Sequence, residues 1–441
     1  MNSRTPEFLA TLRRFGWARR FRLRGVPGPA ILPVRARNVP LAASVPLFGK
    51  AVLETLQLSG QRTAGVRSLS FDDWNKLLAF CDAAQLTLTF SYLCGSELPD
   101  WVQARIDQNY RDAAARGRRL DSALNEIAHR FKQADIEFVL LKGRAHAREF
   151  GPDPSLRVTS DVDLWCTAEQ IGRARDELGR LGYRRIGKEN GNHLAPMIRE
   201  KKWCWRGNFY APDLPLPVEL HHRLWDEKME RIQGPPEAAF WRRRSYSDFE
   251  GALVSVLALP DALAFSALHL LKHILHGDLR LQRAWEVAYF LHRHSTNDAF
   301  WRAWMNLHPD GLRKLEVLIF LLVEKWFGCK LPTVVLREAE TLAGDIRLWI
   351  QLYGFSPVEA LFSPNKTELW LNLSLVSSLR GKIQVFLRRM LPVHGLKTVS
   401  LGASGEPHSI LSRVSHHVRT LGPTLVEGAA WWRIRNARGG I

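Results

Sequence analysis

A chain of 441 residues exceeds the usual single-domain size, so two or three structural units are expected, and 46% hydrophobic residues with 16 Trp exclude a disordered chain. The formal charge of +18, from 62 Lys and Arg against 44 Asp and Glu, raises the local concentration of any polyanion: nucleotide, nucleic acid, anionic polysaccharide or anionic membrane. Five scattered cysteines without a CxxC pair exclude a disulfide framework and a structural zinc site, and the longest apolar run, 317–323, is far too short to span a bilayer. With no signal-like segment at the start, a reducing, cytoplasmic setting is expected.

In chain order, residues 1–65 mix basic and apolar residues around Pro27, Pro29, Pro33, Pro40 and Pro46 without clean periodicity, and predict a loosely ordered basic arm with one helix near 8–21. Residues 66–134 predict a helical lead-in. It opens at Ser70 as N-cap and keeps a three-and-four spacing through Trp74, Leu77, Leu78 and Cys81. Its main part is a long helix over 101–134, with Arg-rich polar positions opposite Leu120, Leu124, Ile127 and Phe131.

Residues 135–258 predict a small α/β core. An apolar strand, 136–141, ends at Lys142-Gly143. A second strand carries Asp161-Val162-Asp163-Leu164, whose period-two alternation sends both carboxylates to one face and Val162 and Leu164 to the other. The run Thr167-Ala-Glu-Gln170 fits a capping box, before a helix with stripe Ile171, Ala174, Leu178 and Leu181 that stops at Gly182. After a Pro-rich turn, Val218-Glu219-Leu220-His221 predicts a third strand with Glu219 and His221 on one face. Helices return over 262–276, 283–294 and 312–326 within a C-terminal domain, 259–395, which ends near a basic amphipathic segment, 379–391. A basic tail occupies 396–441.

The chemistry concentrates in 140–165. Two carboxylates sharing a small space beside a buried strand call for a cation, and Mg²⁺ or Mn²⁺ prefers carboxylate oxygens together with substrate phosphates. Transfer of a nucleotidyl or phosphoryl group needs a metal on the triphosphate, donors for the leaving phosphates and a carboxylate near the acceptor hydroxyl. Asp161 and Asp163 supply the metal end and Glu219 a third carboxylate, while Lys142, Gly143 and Arg157 supply a phosphate grip. His221, on the face of Glu219, is placed to contact substrate. A lone DxD is also what a solvated edge strand shows, but Val162, Leu164 and Trp165 so close by argue against an exposed edge.

Other patterns have plainer readings. His269, His273 and His276 share a helix face as metal ligands can, yet lack an acidic companion, so packing within a helical bundle or contact with substrate phosphate is the favoured reading. The runs 201–206 and 241–244 interleave Trp with Lys or Arg and suit either base stacking or, as favoured here, an Arg lying on its neighbouring ring. No nucleophile elbow, P-loop or dinucleotide-binding glycine motif appears in the required context.

Taken together, Asp135-Ile136, Leu140-Leu-Lys-Gly143, Arg157, Ser160-Asp-Val-Asp-Leu164, Gly182-Tyr183 and Glu219-Leu-His-His-Arg-Leu224 resemble the uncharacterised bacterial nucleotidyltransferase-like proteins of the polymerase-beta-type superfamily. The resemblance extends over roughly 70–395. It implies a small mixed-sheet α/β (α+β) core embedded in mainly helical N- and C-terminal additions. It makes Asp161, Asp163 and Glu219 the metal-binding and catalytic carboxylates, and Lys142, Gly143 and Arg157 the nucleotide-binding residues. The chain departs from the family where Trp285 is followed by Glu286 instead of Asp.

The expected function is therefore Mg²⁺-dependent transfer of an NMP from an NTP to a hydroxyl or phosphate acceptor: a small molecule, saccharide or peptide, with nucleic acid kept open as a less favoured acceptor. The alternative is a catalytically silent nucleotide- or polyanion-binding scaffold.

Overall fold

A computed structural model describes residues 45–60, 63–189, 191–199, 208–211, 213–249, 252–363, 365–390, 424 and 426–436. All of these lie in one unit of the chain, 39–441. The helix expected near 8–21 and the aromatic-basic run 201–206 fall outside the described residues.

Among the described residues, four α-helices precede the sheet. The first, α1 (Leu47–Thr55), occupies part of the stretch expected to be a loose arm. Pro46 initiates this helix from the N-cap position instead of breaking it, and Val52, Leu53 and Leu56 are buried. The second, α2 (Phe71–Ala83), begins as expected: the Ser70 side chain accepts from the Asp73 amide and the Asp73 carboxylate accepts from the Ser70 amide. After α3 (Thr87–Cys94) comes α4 (Asp100–Gln133), 34 residues that reach about 50 Å at 1.5 Å per residue.

The length of α4 lets it serve two cores. Val102 and Ile106 belong to a large helical core, whereas Leu120, Leu124, Ile127 and Phe131 belong to a smaller core under the sheet. That sheet has seven strands in the order β3-β4-β5-β2-β1-β7-β6. They are β1 (Val139–Leu140), β2 (Val162–Trp165), β3 (Arg184–Arg185), β4 (Met197–Ile198), β5 (Val218–His221), β6 (Ser245–Phe249) and β7 (Ala252–Val256). The DxD strand β2 is central, not an edge; it runs parallel to β5 and antiparallel to β1.

Alternation divides the sheet into two unlike faces. Leu140, Val162, Leu164, Val218 and Leu220 pack with α4 and with α5 (Ile171–Arg180) in the smaller core. Val139, Leu141 and Trp165 point the other way, into the helical core. The capping box expected at Thr167–Gln170 does not form. Among the described residues no side chain caps α5, and Gln170 instead accepts through Oε1 from the Glu137 amide at 3.1 Å, tying the helix entry to the chain just before β1.

Short helices α6 (Glu227–Glu230) and α7 (Glu237–Arg242) follow β5. Beyond the sheet lie α8 (Leu259–His276), α9 (Leu281–His294), α10 (Asp298–Leu307), α11 (Asp310–Phe327), α12 (Thr333–Glu340), α13 (Gly344–Tyr353), α14 (Ser356–Glu359), α15 (Glu368–Leu375) and α16 (Leu379–Met390). The apolar faces of α1, α2, α8, α9 and α11 meet in the one helical core, so segments from both ends of the chain are folded together. Within the stretch expected as a basic tail, 426–436 is helical and Trp431 is buried, its ring 6.1 Å from Tyr353. An aromatic with a core position to fill overrides the local excess of charge. Among the described residues no helix is long and apolar enough to cross a membrane.

Candidate active site

The parallel pairing of β2 with β5 sets the site. Its register puts Asp163 beside Glu219 and Trp165 beside His221, so one sheet face carries carboxylate next to carboxylate on strands about 4.8 Å apart. Asp161, just before β2, is on the same side by alternation. This face looks toward α8, where His269 and Lys272 lie.

Charge around Asp163 is partly balanced. Lys142 Nζ is 3.0 Å from its Oδ2 and His221 Nε2 is 2.9 Å from its Oδ1. Burial works to raise the Asp163 carboxyl, but the Lys142 ammonium and the His221 hydrogen bond outweigh it and hold the group well below the usual carboxylate range. The other two carboxyls go the opposite way. Burial and then the charge of Asp163 raise Asp161, and burial followed by Asp163 and Asp161 pushes Glu219 up to about 8. Three carboxyls with too little neutralisation is the condition a divalent cation relieves.

Asp163, Glu219 and His221 each offer a ligand atom, all within 4.8 Å of one another, the group among the described residues best arranged to hold a metal. His193 adds a further nitrogen, Nε2, 3.7 Å from Glu219 Oε2, and burial lowers its imidazole to about 4, keeping it neutral. The carboxylate oxygens are the hard donors that Mg²⁺ or Mn²⁺ prefers, whereas the imidazoles are donors better suited to softer divalent ions.

Lys142 follows β1 directly, and the Leu141 amide donates to the Asp163 carbonyl at 3.1 Å, which brings the lysine alongside the acidic strand. Gly143 turns the chain with φ +71°, and a Cβ there would lie 2.9 Å from Thr159 Cγ2, so both conformation and space require glycine. Arg157 lies against this turn but is engaged by Glu286: Nε to Oε1 is 2.6 Å and Nη2 to Oε2 is 3.1 Å. Its Nη1 is buried with no hydrogen-bond partner among the described residues. Arg283 Nη1 is 3.2 Å from the same glutamate. Together with Lys142, Gly143 and His269 these groups line a cleft of about 30 Å³, close to the volume of one water in the liquid.

All the sequence-predicted site residues therefore gather at one end of the sheet, with Arg157 one step removed behind Gly143. The three histidines of α8 do not converge on a metal. His269 Nε2 is 3.3 Å from Lys142 Nζ, His273 pairs with Asp278 at 3.0 Å, and His276 pairs with Glu230 at 3.1 Å. The Trp241 run takes its plainer reading, since the Arg244 guanidinium lies 4.8 Å over the Trp241 ring.

Several contributors were not legible in the sequence. Arg116, buried on α4, donates to four carbonyls: Thr159 at 2.9 Å, Ser160 at 2.8 Å, Leu214 at 2.6 Å and Pro215 at 2.9 Å. Those carbonyls end the loops that enter β2 and β5, so one guanidinium ties together the approaches to both acidic strands. Nothing in the pattern distinguishes it from Arg118 or Arg119 nearby. Lys272 is another: burial lowers its ammonium, and its charge in turn favours the ionised form of Glu219.

A central strand with paired carboxylates, answered in register by a third on its parallel neighbour and enclosed by helices, defines a nucleotidyltransferase core with helical additions. The chain belongs to the family described as uncharacterised nucleotidyltransferase, whose model matches residues 70–328. That span holds the whole sheet and α2 through α11, but stops short of the 395 suggested by the sequence motifs. No curated protein and no solved structure matches the chain. Family membership supports nucleotidyl transfer as the general activity.

Proposed function

We propose that this site transfers a nucleoside monophosphate from an NTP to a hydroxyl or phosphate acceptor, with Mg²⁺ or Mn²⁺ held by Asp161, Asp163 and Glu219. The observation that carries the reading is the register of β2 against β5, which sets Glu219 beside Asp163 on a buried face. A bound divalent ion would neutralise triphosphate charge and polarise the reacting phosphorus. His221 orients Asp163 from one side, while Arg116 holds the loops that aim both strands. Glu219 orients or deprotonates the acceptor hydroxyl. Lys142 and Arg157 receive the phosphates: incoming phosphate oxygens compete with Asp163 for the ammonium, and the unpartnered Arg157 Nη1 takes an oxygen at the Gly143 turn. The buried free thiols Cys81, Cys94, Cys166 and Cys329 support a reducing, cytoplasmic setting.

A second reading, a catalytically silent nucleotide- or polyanion-binding protein, is favoured by the Lys142–Asp163 ion pair, which occupies a metal-facing carboxylate with a cation of the chain itself. Incubation of the protein and a metabolite extract with labelled ATP, GTP, CTP and UTP and Mg²⁺ or Mn²⁺ separates the two. Transfer predicts pyrophosphate release and a labelled acceptor, reduced by ~10³-fold or more in Asp161→Asn/Asp163→Asn. Full transfer by the double variant refutes the assignment of these carboxylates, and salt-sensitive NTP binding without pyrophosphate establishes the silent reading.

A further inference from the structure

Helix α16 buries one side of itself and leaves an apolar stripe on the other. Gly381 and Val385 face the protein, whereas Leu379, Ile383 and Leu387 are exposed by 73%, 50% and 47%. Spaced i, i+4 and i+8, these three side chains cover an arc of about 80° at 100° per residue. Three large aliphatic groups in line along one helix are unlike the singly scattered apolar residues of an ordinary surface.

The flanks of the stripe are basic. At the helix's angular spacing, Arg380 borders it on one side and Lys382 on the other, while Arg388 lies about 100° from its edge, toward the protein. The neighbouring α6 joins the same surface: Arg388 Nη1 donates to the Met229 carbonyl at 2.8 Å, and Met229 itself is 43% exposed. Lys228 and Arg231 beside Met229 are also exposed, with Glu227 as the acidic exception. The surface is thus an aliphatic ridge with cations on both sides, in a chain of net charge +18.

We propose that α16 and α6 dock the protein onto an anionic lipid bilayer, with α16 lying in the plane of the interface. In that position Leu379, Ile383 and Leu387 enter the acyl boundary, and Arg380 and Lys382 reach lipid phosphates from either side. Charge complementarity selects the occupant. Nucleic acid satisfies the cations but leaves the aliphatic ridge in water, whereas an apolar protein groove satisfies the ridge and strands the cations at its rim. An anionic bilayer meets both at the depth at which each sits. The inference does not rest on the transfer reaction and survives its failure.

The test uses the full chain and co-sedimentation with vesicles of phosphatidylcholine alone or of an equimolar phosphatidylcholine and phosphatidylglycerol mixture. Binding is expected only to the anionic vesicles and should weaken with added salt. Leu379→Gln/Ile383→Gln/Leu387→Gln should lower the partition coefficient by ~10-fold or more while leaving the melting temperature unchanged, because these side chains are already in water. Arg380→Gln/Lys382→Gln should lower it on anionic vesicles too. No binding, equal binding to both vesicle types, or undiminished binding by the triple variant overturns the proposal. So does a change in the protein's oligomeric state in the triple variant, which would make the ridge a contact between copies.

Discussion

Two clusters of buried charge differ in a way that separates chemistry from architecture. In the helical region, Arg243 pairs with Asp261 through two bonds of 2.6 Å, and His308 bridges Asp261 at 3.1 Å and Glu316 at 2.9 Å. Trp304 Nε1 donates to the remaining Glu316 oxygen at 2.9 Å. Two cations meet two anions there, with every group bonded. At the sheet, by contrast, Asp161, Asp163 and Glu219 confront the ammonium of Lys142, the ammonium of Lys272, whose own charge burial disfavours, and a neutral-leaning His221. The balanced cluster holds α8, α10, α11 and the end of α7 together; the unbalanced one is left with a surplus of carboxyl groups. Buried charge is a stabilising element only where its partners are complete.

Breaking the balanced cluster should cost most. His308→Ala leaves Asp261 and Glu316 short of a partner at a fully enclosed position and should destabilise the fold by about 3–5 kcal/mol in denaturant unfolding. The same substitution should flatten the pH dependence of stability. Burial lowers the His308 imidazole, but Glu316 and Asp261 prevail and raise it to about 9. A raised histidine stabilises fully below its unfolded value of about 6.5, and that contribution is lost as pH climbs through the folded value. Wild-type stability should therefore fall between those limits by up to about 3 kcal/mol, and the variant's should not.

Next in size is Arg116→Lys, which keeps the charge but cannot reach four carbonyls at once. Nucleotidyl transfer should fall by ~10- to 100-fold, mostly in kcat, because the strands carrying Asp163 and Glu219 lose their common anchor while Lys142 and Arg157 are untouched. A loss confined to thermal stability would assign Arg116 to the scaffold alone. The smallest effect sharpens the contrast best. Asp161→Asn relieves repulsion without orphaning a cation and should leave stability unchanged or raise it by about 1 kcal/mol, whereas Asp163→Asn abandons Lys142 and should lower it. Thermal unfolding of the two single variants side by side makes the comparison.

What the sequence by itself determined was local. Period-two alternation located β2 and β5, the three-and-four spacing located α2, α4 and α8, and the face shared by Asp161 and Asp163 followed from alternation alone. These signals are legible because they depend on neighbours a few residues apart. Pro46 and Trp431 misled for the same reason: prolines and basic runs mark loose chain locally, but burial against distant helices overrode them. Only the tertiary structure decided the partners. The meeting of Lys142 with Asp163, of Arg157 with Glu286 and of Arg116 with four loop carbonyls follows from which strand lies beside which and which helix crosses over them. Ion pairs and carbonyl clamps leave no periodic trace, since any arginine on a polar helix face reads alike until the fold brings one of them to four carbonyls.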